Sequence, residues 1–344
     1  MNVKKGFLTF RFLASAVGVM AVMLVCTATL HAQGTPTVIW SEQDLTGGIY
    51  SVDFSPNGKY LAYSASGDER VRVRRSVNGA LVRSFSADTE SGIDQVRFSP
   101  TGLAMASIWN KNRIEGGYTL FFGAMELWDG SSPPSMPSAG SHANYATCLA
   151  WTPDGLSVAT GSTDREVILW DAANGQEIRR FDHGAWIQSV AISPDGQYLA
   201  SGAADNAIKV WNIGDGSLVR SLTGHTDYVR TLGFSPDGSL LASGAGGFNT
   251  PDNSIKLWRV ADGELLRTIT GHTDWVNEIS FARGGQYLGS ASRDGTIRFW
   301  RVGDGVEVLN FDFGGAIPIT LDIAPVGNYF AYGLNNGTVA LARP

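Results

Sequence analysis

FSPDG, Phe234–Gly238, is one of seven copies of a single five-residue turn, and its recurrence decides the fold. The others read FSPNG from Phe54, FSPTG from Phe98, WTPDG from Trp151 and ISPDG from Ile192, with worn copies FARGG from Phe281 and IAPVG from Ile323. Their first residues step by 44, 53, 41, 42, 47 and 42. A period just over forty residues means repeated supersecondary units, none of which can bury its apolar face alone. After each turn comes a short apolar stretch such as YLASGAAD (198–205), then a β-rich run. That run reads MELWD (125–129), VILWD (167–171), IKVWN (208–212), IKLWR (255–259) and IRFWR (297–301). VRVRR (71–75) and VALAR (339–343) hold the same place without the tryptophan. Short strands between Gly, Asp, Asn and Pro clusters mark an all-β ring or sandwich. No long 3.6-residue apolar period follows residue 32, which leaves little place for helices.

These residues resemble the WD-repeat family, whose members close four-stranded blades into a propeller, and the resemblance runs over about 36–343. It implies an all-β, seven-bladed propeller of antiparallel four-stranded blades. Carried over residue by residue, the family's buried tetrad is intact four times: His142, Thr160, Asp164, Trp170; His183, Ser201, Asp205, Trp211; His225, Ser243, Asp252, Trp258; and His272, Ser290, Asp294, Trp300. An indole N–H only donates, so when buried it needs an acceptor such as a hydroxyl. The hydroxyl passes a bond to imidazole and the imidazole to a carboxylate, a network that rigidifies only when every member is satisfied. The first copy departs with Tyr63 and Arg74, the second lacks the His and carries an insertion, and the seventh has Asn336 and Ala342. Those three read as the weaker blades. In the family one repeat straddles two blades, so the last blade lacks an outer strand after VALAR. The segment 36–45, PTVIWSEQDL, is placed to supply it and close the ring. Closure removes sheet edges that would otherwise template aggregation.

Residues 1–32 differ from the rest. Lys4, Lys5 and Arg11 precede an apolar run from Phe12 to Leu30, and the segment ends Leu-His-Ala-Gln. That is the pattern of a secretory signal cut after Ala32, or of a retained membrane anchor over 12–30. The sequence thus leads us to expect an exported protein, periplasmic, envelope or extracellular, with membrane contact only if the segment stays. Of the two cysteines, Cys26 falls in that segment and Cys148 in a strand, so no intrachain disulfide is expected. Cys148 reads as a small buried apolar residue. A net charge of −6 argues against nucleic acid as a partner.

The histidines invite a hydrolase reading, but the repeats absorb them: His31 lies in the leader and the other four are tetrad members. Four equivalent copies point to structure, so no catalytic residue is assigned. No His/Cys cluster has metal spacing, and no glycine-rich phosphate loop appears, so no metal or cofactor is expected. The binding face is the sharper inference. Three residues after each tetrad His stands an aromatic, Tyr145, Trp186, Tyr228 or Trp275, a collar around the channel mouth. Two residues on are Thr147, Gln188, Arg230 and Asn277, and Arg293 adds a basic group at the rim. Tyr and Trp dominate interface hot spots. The insertions at 109–124, with Tyr118, Phe121 and Phe122, and at 245–251 should rise from the same face, the first as a functional loop or a strand extension. The Pro-rich stretch 131–140 stands where an outer strand belongs, at an open edge that tolerates proline. The expectation is a non-catalytic platform for a protein or peptide, with a glycan or small ligand as the alternative and an enzyme in the 109–124 loop as the third class.

Overall fold

The computed structural model describes residues 32–344 except 34, 44–46, 87–91, 103, 116–117, 129–138 and 249–250, with backbone alone at 32–33, 111–115, 118–122, 124, 128 and 139–140. Residues 1–31, Tyr118, Phe121 and Phe122 as side chains, and most of the Pro-rich stretch therefore lie outside the described residues. Among the described residues seven sheets form, one per repeat: six have four strands, and the sixth blade gains a fifth where Ala32–Gln33 pairs in parallel with Glu307–Asp312. The third blade is typical, with strands Ala146–Trp151, Ser157–Ser162, Glu166–Asp171 and Glu177–Asp182 in antiparallel order from the channel outward. The Pro-Asp-Gly turn joins its first two strands because Gly155 takes a positive φ of 71° that a side chain would resist. Thr152 Oγ1 donates to Asp154 Oδ1 at 2.6 Å across the same turn, so the motif's hydroxyl and carboxylate fix its shape.

The ring closes as the repeat arithmetic requires. Thr37–Gln43, within the 36–45 expected, pairs antiparallel with Thr338–Arg343 and completes the seventh blade. The second-repeat insertion is a strand extension: Met105–Glu115 and Tyr118–Trp128 form a hairpin of eleven residues a side, where other blades use five or six. The outer strand of that blade follows the Pro-rich stretch at Ala139–His142.

The core does not lie inside blades but between them. Each of the seven apolar clusters joins two neighbours; Ile108, Met125 and Leu127 of the second blade, for example, pack on Leu149, Trp151 and Trp170 of the third. A sheet has two faces, and in a ring both are covered by the next blade, so inner and middle strands read as nearly continuous buried runs. Outer strands are largely exposed, as in Leu218–Leu222.

Two sets of polar bonds reinforce these contacts. The residue three places before each turn motif sits on the innermost strand and accepts the backbone N–H of the following blade. Val96 donates to Ser51 Oγ, Leu149 to Gln95 Oε1, Leu232 to Ser189 Oγ, Ile279 to Thr231 Oγ1, Leu321 to Glu278 Oε2 and Val52 to Thr320 Oγ1, all at 2.6–3.2 Å. Cys148 takes the seventh place and receives the Val190 amide. The innermost strand has a free edge, and this girdle satisfies N–H groups that the ladder leaves open. On the outside, Arg179 donates to the carbonyls of Gly214 and Asp215, Arg220 to that of Val260, and Arg267 to those of Gly303 and Asp304, each on the next blade. At the closing seam Trp40 Nε1 plays that part, donating to Ser76 O at 2.9 Å.

Candidate functional site

The tetrads form connected networks. In the third blade Trp170 Nε1 donates to Thr160 Oγ1 at 2.7 Å, Thr160 meets His142 Nε2 at 2.8 Å, and His142 Nδ1 meets Asp164 Oδ2 at 2.9 Å. His225 and His272 repeat it with Ser243 and Asp252, and with Ser290 and Asp294, at 2.7–2.8 Å. The indole donates first, so the hydroxyl proton points to Nε2 and the Nδ1 proton to the carboxylate. His183 presents the opposite edge, Nδ1 to Ser201 at 2.7 Å and Nε2 to Asp205 at 3.3 Å, and Asp205 is 40% exposed. Burial would raise the carboxyls of Asp252 and Asp294, but His225 and His272 hold both well below the usual range. Burial pulls His272 and His183 down, so they favour the neutral ring. Both nitrogens of every described tetrad imidazole are thus engaged. Trp300→Phe should leave Ser290 without its 2.8 Å donor and cost about 1–3 kcal/mol. Chemical denaturation checks this, and an unchanged midpoint would reject it.

The first blade replaces this chemistry rather than losing it, whereas the seventh puts an aromatic cluster in its place. Arg74 Nε donates to Tyr63 Oη at 3.1 Å, so a guanidinium stands in for the indole and a phenol for the hydroxyl. The same Arg74 faces Glu42 of the closing strand at 3.3 Å. In the seventh blade Tyr332 is buried among Phe313 and Phe330, with ring centroids 4.9 and 5.8 Å away, and burial pushes its phenol up to about 12.

The channel holds a cavity of about 620 Å³. Of the sequence-predicted mouth residues, Tyr145, Thr147, Gln188, Arg230 and Asn277 line it, together with Tyr50, Asp94 and Ile319, which the motif reading passed over. Trp186, Tyr228, Trp275 and Arg293 do not line it. The collar is uneven. Trp186 is 55% exposed, whereas Tyr145, Tyr228 and Trp275 are half-buried, so only one of the four rings stands clear as expected. Thr147 Oγ1 is spent on Ile187 O at 2.8 Å and Asn277 Nδ2 on Pro318 O at 2.9 Å, both bonds to the next blade. Trp275 is the hub of a cluster. Its Nε1 donates to Gly247 O at 2.9 Å, Phe248 stands edge-on at 4.6 Å, and the guanidinium carbons of Arg230 and Arg293 lie 4.7 and 4.3 Å from its ring. Gly246 lets the inserted loop approach, because a Cβ there would fall 2.5 Å from Trp275 Cβ.

Deeper in the channel Arg97 crosses from the second blade to the sixth. Its Nη2 meets Glu278 Oε1 at 2.6 Å, Nη1 donates to Val52 O at 2.9 Å, and Asp53 lies 3.8 Å away. Asp53 Oδ2 accepts the Phe98 N–H at 2.7 Å, and Asp322 Oδ2 accepts that of Phe54 at 2.8 Å. Burial pushes Asp53 well up and Asp322 to about 6, against the pull of Arg97. Burial likewise raises Asp94 to about 6 beside Asn110. Nothing in the motif reading marked these residues, although a charged residue directly before the turn motif in three copies (Asp53, Arg97, Asp322) is a visible signal. Cys148 is buried and its thiol is pushed up to about 12, which fits an inert side chain.

The family described as "WD domain, G-beta repeat" matches residues 34–74, 138–171, 175–212, 216–259 and 263–301. The chain is 26% identical over 162 residues to a chromatin assembly factor 1 component of Mus musculus, covering 41% of this chain and 28% of that protein. It is 27% identical over 166 residues to the chromatin assembly factor 1 subunit FAS2 homolog of Oryza sativa subsp. japonica, covering 46% and 31%. A probable cytosolic Fe-S cluster assembly factor of Schizosaccharomyces japonicus is 31% identical over 126 residues, covering 37% and 19%. The matches thus take in less than a third of the relatives' length. They overturn the exported location read from residues 1–32: these relatives are named for chromatin and cytosolic assembly, not for an envelope or extracellular place. Basic residues followed by an apolar run and a small residue are a short local pattern, and such a pattern alone does not fix a compartment. Among the described residues no helix is long and apolar enough to cross a membrane. With the repeats matched over more than half its length and folded into seven such blades, the chain belongs to the WD-repeat family.

Proposed function

We propose that this propeller is a non-catalytic docking platform whose partner is a protein or peptide seated over the channel mouth. The observation that carries this is the pairing of exposed aromatics with a cavity. Trp186 and Phe248 are 55% and 81% exposed; Gln188, two residues after Trp186, lines the 620 Å³ cavity, and Phe248 packs on Trp275, the ring that carries the cavity-lining Arg230. Large aromatic side chains left in water mark recognition surfaces. The tetrad imidazoles, the obvious acid–base candidates, have both nitrogens committed to the blades. The chromatin assembly relatives are named as subunits, that is, as parts of larger assemblies, which supports a protein partner. The test is crosslinking in cells followed by identification of what is captured. Trp186→Ala with Phe248→Ala should lose the captured partner, with affinity reduced at least ~30-fold, as for two hot-spot aromatics. The melting midpoint should not move, since both rings are mostly in solvent. Capture unchanged by the double substitution would sink the reading.

A further inference from the structure

The cluster around Trp275 has a hydrogen-bonding demand that the described residues do not meet. Arg230 is half-buried, and among the described residues its guanidinium has ring contact with Trp275 but no hydrogen-bond or ion-pair partner. Its Nε is buried and unpartnered. A guanidinium carries five N–H donors and no acceptor, so it asks for an oxygen ligand. Arg293, on the neighbouring blade, is 44% exposed, and its one ion-pair partner among the described residues is Asp274, at 3.8 Å. The two guanidinium groups share one indole and repel each other, and burial together with Arg293 pulls Arg230 below its ordinary range. Two cations held against a flat ring at a cavity rim, with donors unused, form a half-built fork for an oxyanion. The ring fixes them in place at little further entropic cost.

We propose that Arg230 and Arg293 bind a side-chain carboxylate of an acidic peptide segment, with an adjoining apolar residue packed against Phe248. This deepens the docking reading above and rests on it. A monoanion suits the place better than a dianion. Asp227 and Asp274 stand beside the arginines and already balance part of their charge, so a second negative charge would meet two carboxylates. Phe248 is edge-on to Trp275 and 81% exposed, which supplies the apolar wall next to the fork.

The test uses an array of end-blocked hexapeptides, glutamate or aspartate in the third position and all residues in the flanks, probed with the whole chain. Matched arrays carry glutamine, lysine or phosphoserine in place of the acid. The expected result is retention of acid peptides with aromatic or branched flanks. Calorimetry on the best of them should show the glutamate form binding at least tenfold tighter than its glutamine twin. Arg230→Gln should bring that ratio close to one and Arg293→Gln should lower it, whereas Lys59→Gln on the opposite face should leave it intact. Loss of the ratio, rather than of binding alone, is a signature that a folding defect would not produce. Equal binding of glutamate and glutamine peptides would overturn the carboxylate assignment while leaving the platform standing. So would a tenfold preference for phosphoserine. Retention of no peptide would also overturn it, and the crosslinking experiment would still judge the platform separately.

Discussion

Replacing Arg97 by methionine is expected to destabilise the ring by about 3–5 kcal/mol at pH 8, the range for removing one partner of a buried ionic group. The guanidinium is only 21% exposed and links three blades, through Glu278 at 2.6 Å, Val52 O at 2.9 Å and Asp53 at 3.8 Å. Methionine fills much of the same volume, so the loss measured is electrostatic rather than a cavity. The effect should depend on pH with a defined sign. Asp53 and Asp322 are held above their unfolded values by burial, so each binds its proton more tightly in the folded chain. Stability from that source is fully present below the ordinary carboxylate range and is lost as pH rises through about 6. Without Arg97 the deprotonated forms lose their counter-charge, and the penalty should shrink on going from pH 8 to pH 5. Urea unfolding at both values checks it. A cost below about 1 kcal/mol at pH 8, or one that grows in acid, would show that the channel cluster is solvated and does not hold the blades.

Deleting residues 37–43 is the second large effect. The segment pairs with Thr338–Arg343 through six Cα partners, and at about 1 kcal/mol per net hydrogen bond the ladder alone is on the order of 5 kcal/mol. The deletion also removes Trp40 from Ser76 and Gly79 of the first blade, and Glu42 from Arg74. What remains is an open edge at the seam, a template for pairing with another copy. The truncated chain should therefore unfold earlier and self-associate, read by denaturation and by sedimentation velocity. A monomer with an unchanged midpoint would mean that the other six interfaces carry the ring.

The parts of the structure that were legible in the sequence are those with a fixed local spacing. A turn motif, a hydroxyl nine residues on and a tryptophan six past an aspartate are short-range relations, and they gave seven blades and four networks. The girdle was missed although it too keeps a constant place, three residues before the turn motif. Its members are Ser51, Gln95, Cys148, Ser189, Thr231, Glu278 and Thr320. What they share is an acceptor atom, not a residue type, and their partners lie one whole repeat away. Tyr63 and Arg74 looked like losses because the reading asked for identities, whereas the fold asks only for a donor beside an acceptor. The collar's uneven exposure was not legible for a related reason: equal spacing put four aromatics at one level, but Phe248 of the inserted loop packs on Trp275, whereas Trp186 stands exposed. The exported location was misread because a local pattern over residues 1–32 alone carried it.

The inner and outer fastenings divide the annulus into unlike arcs. Blades three to six are clasped from outside by arginines on backbone carbonyls. Trp40 takes over that outer part at the seam between blades seven and one, and the carboxyls raised to about 6, Asp94 and Asp322, belong to blades two and seven. Mild acidification therefore changes the protonation of these carboxyls along one side of a nearly seven-fold object, giving an evenly repeated backbone a lopsided response to its medium.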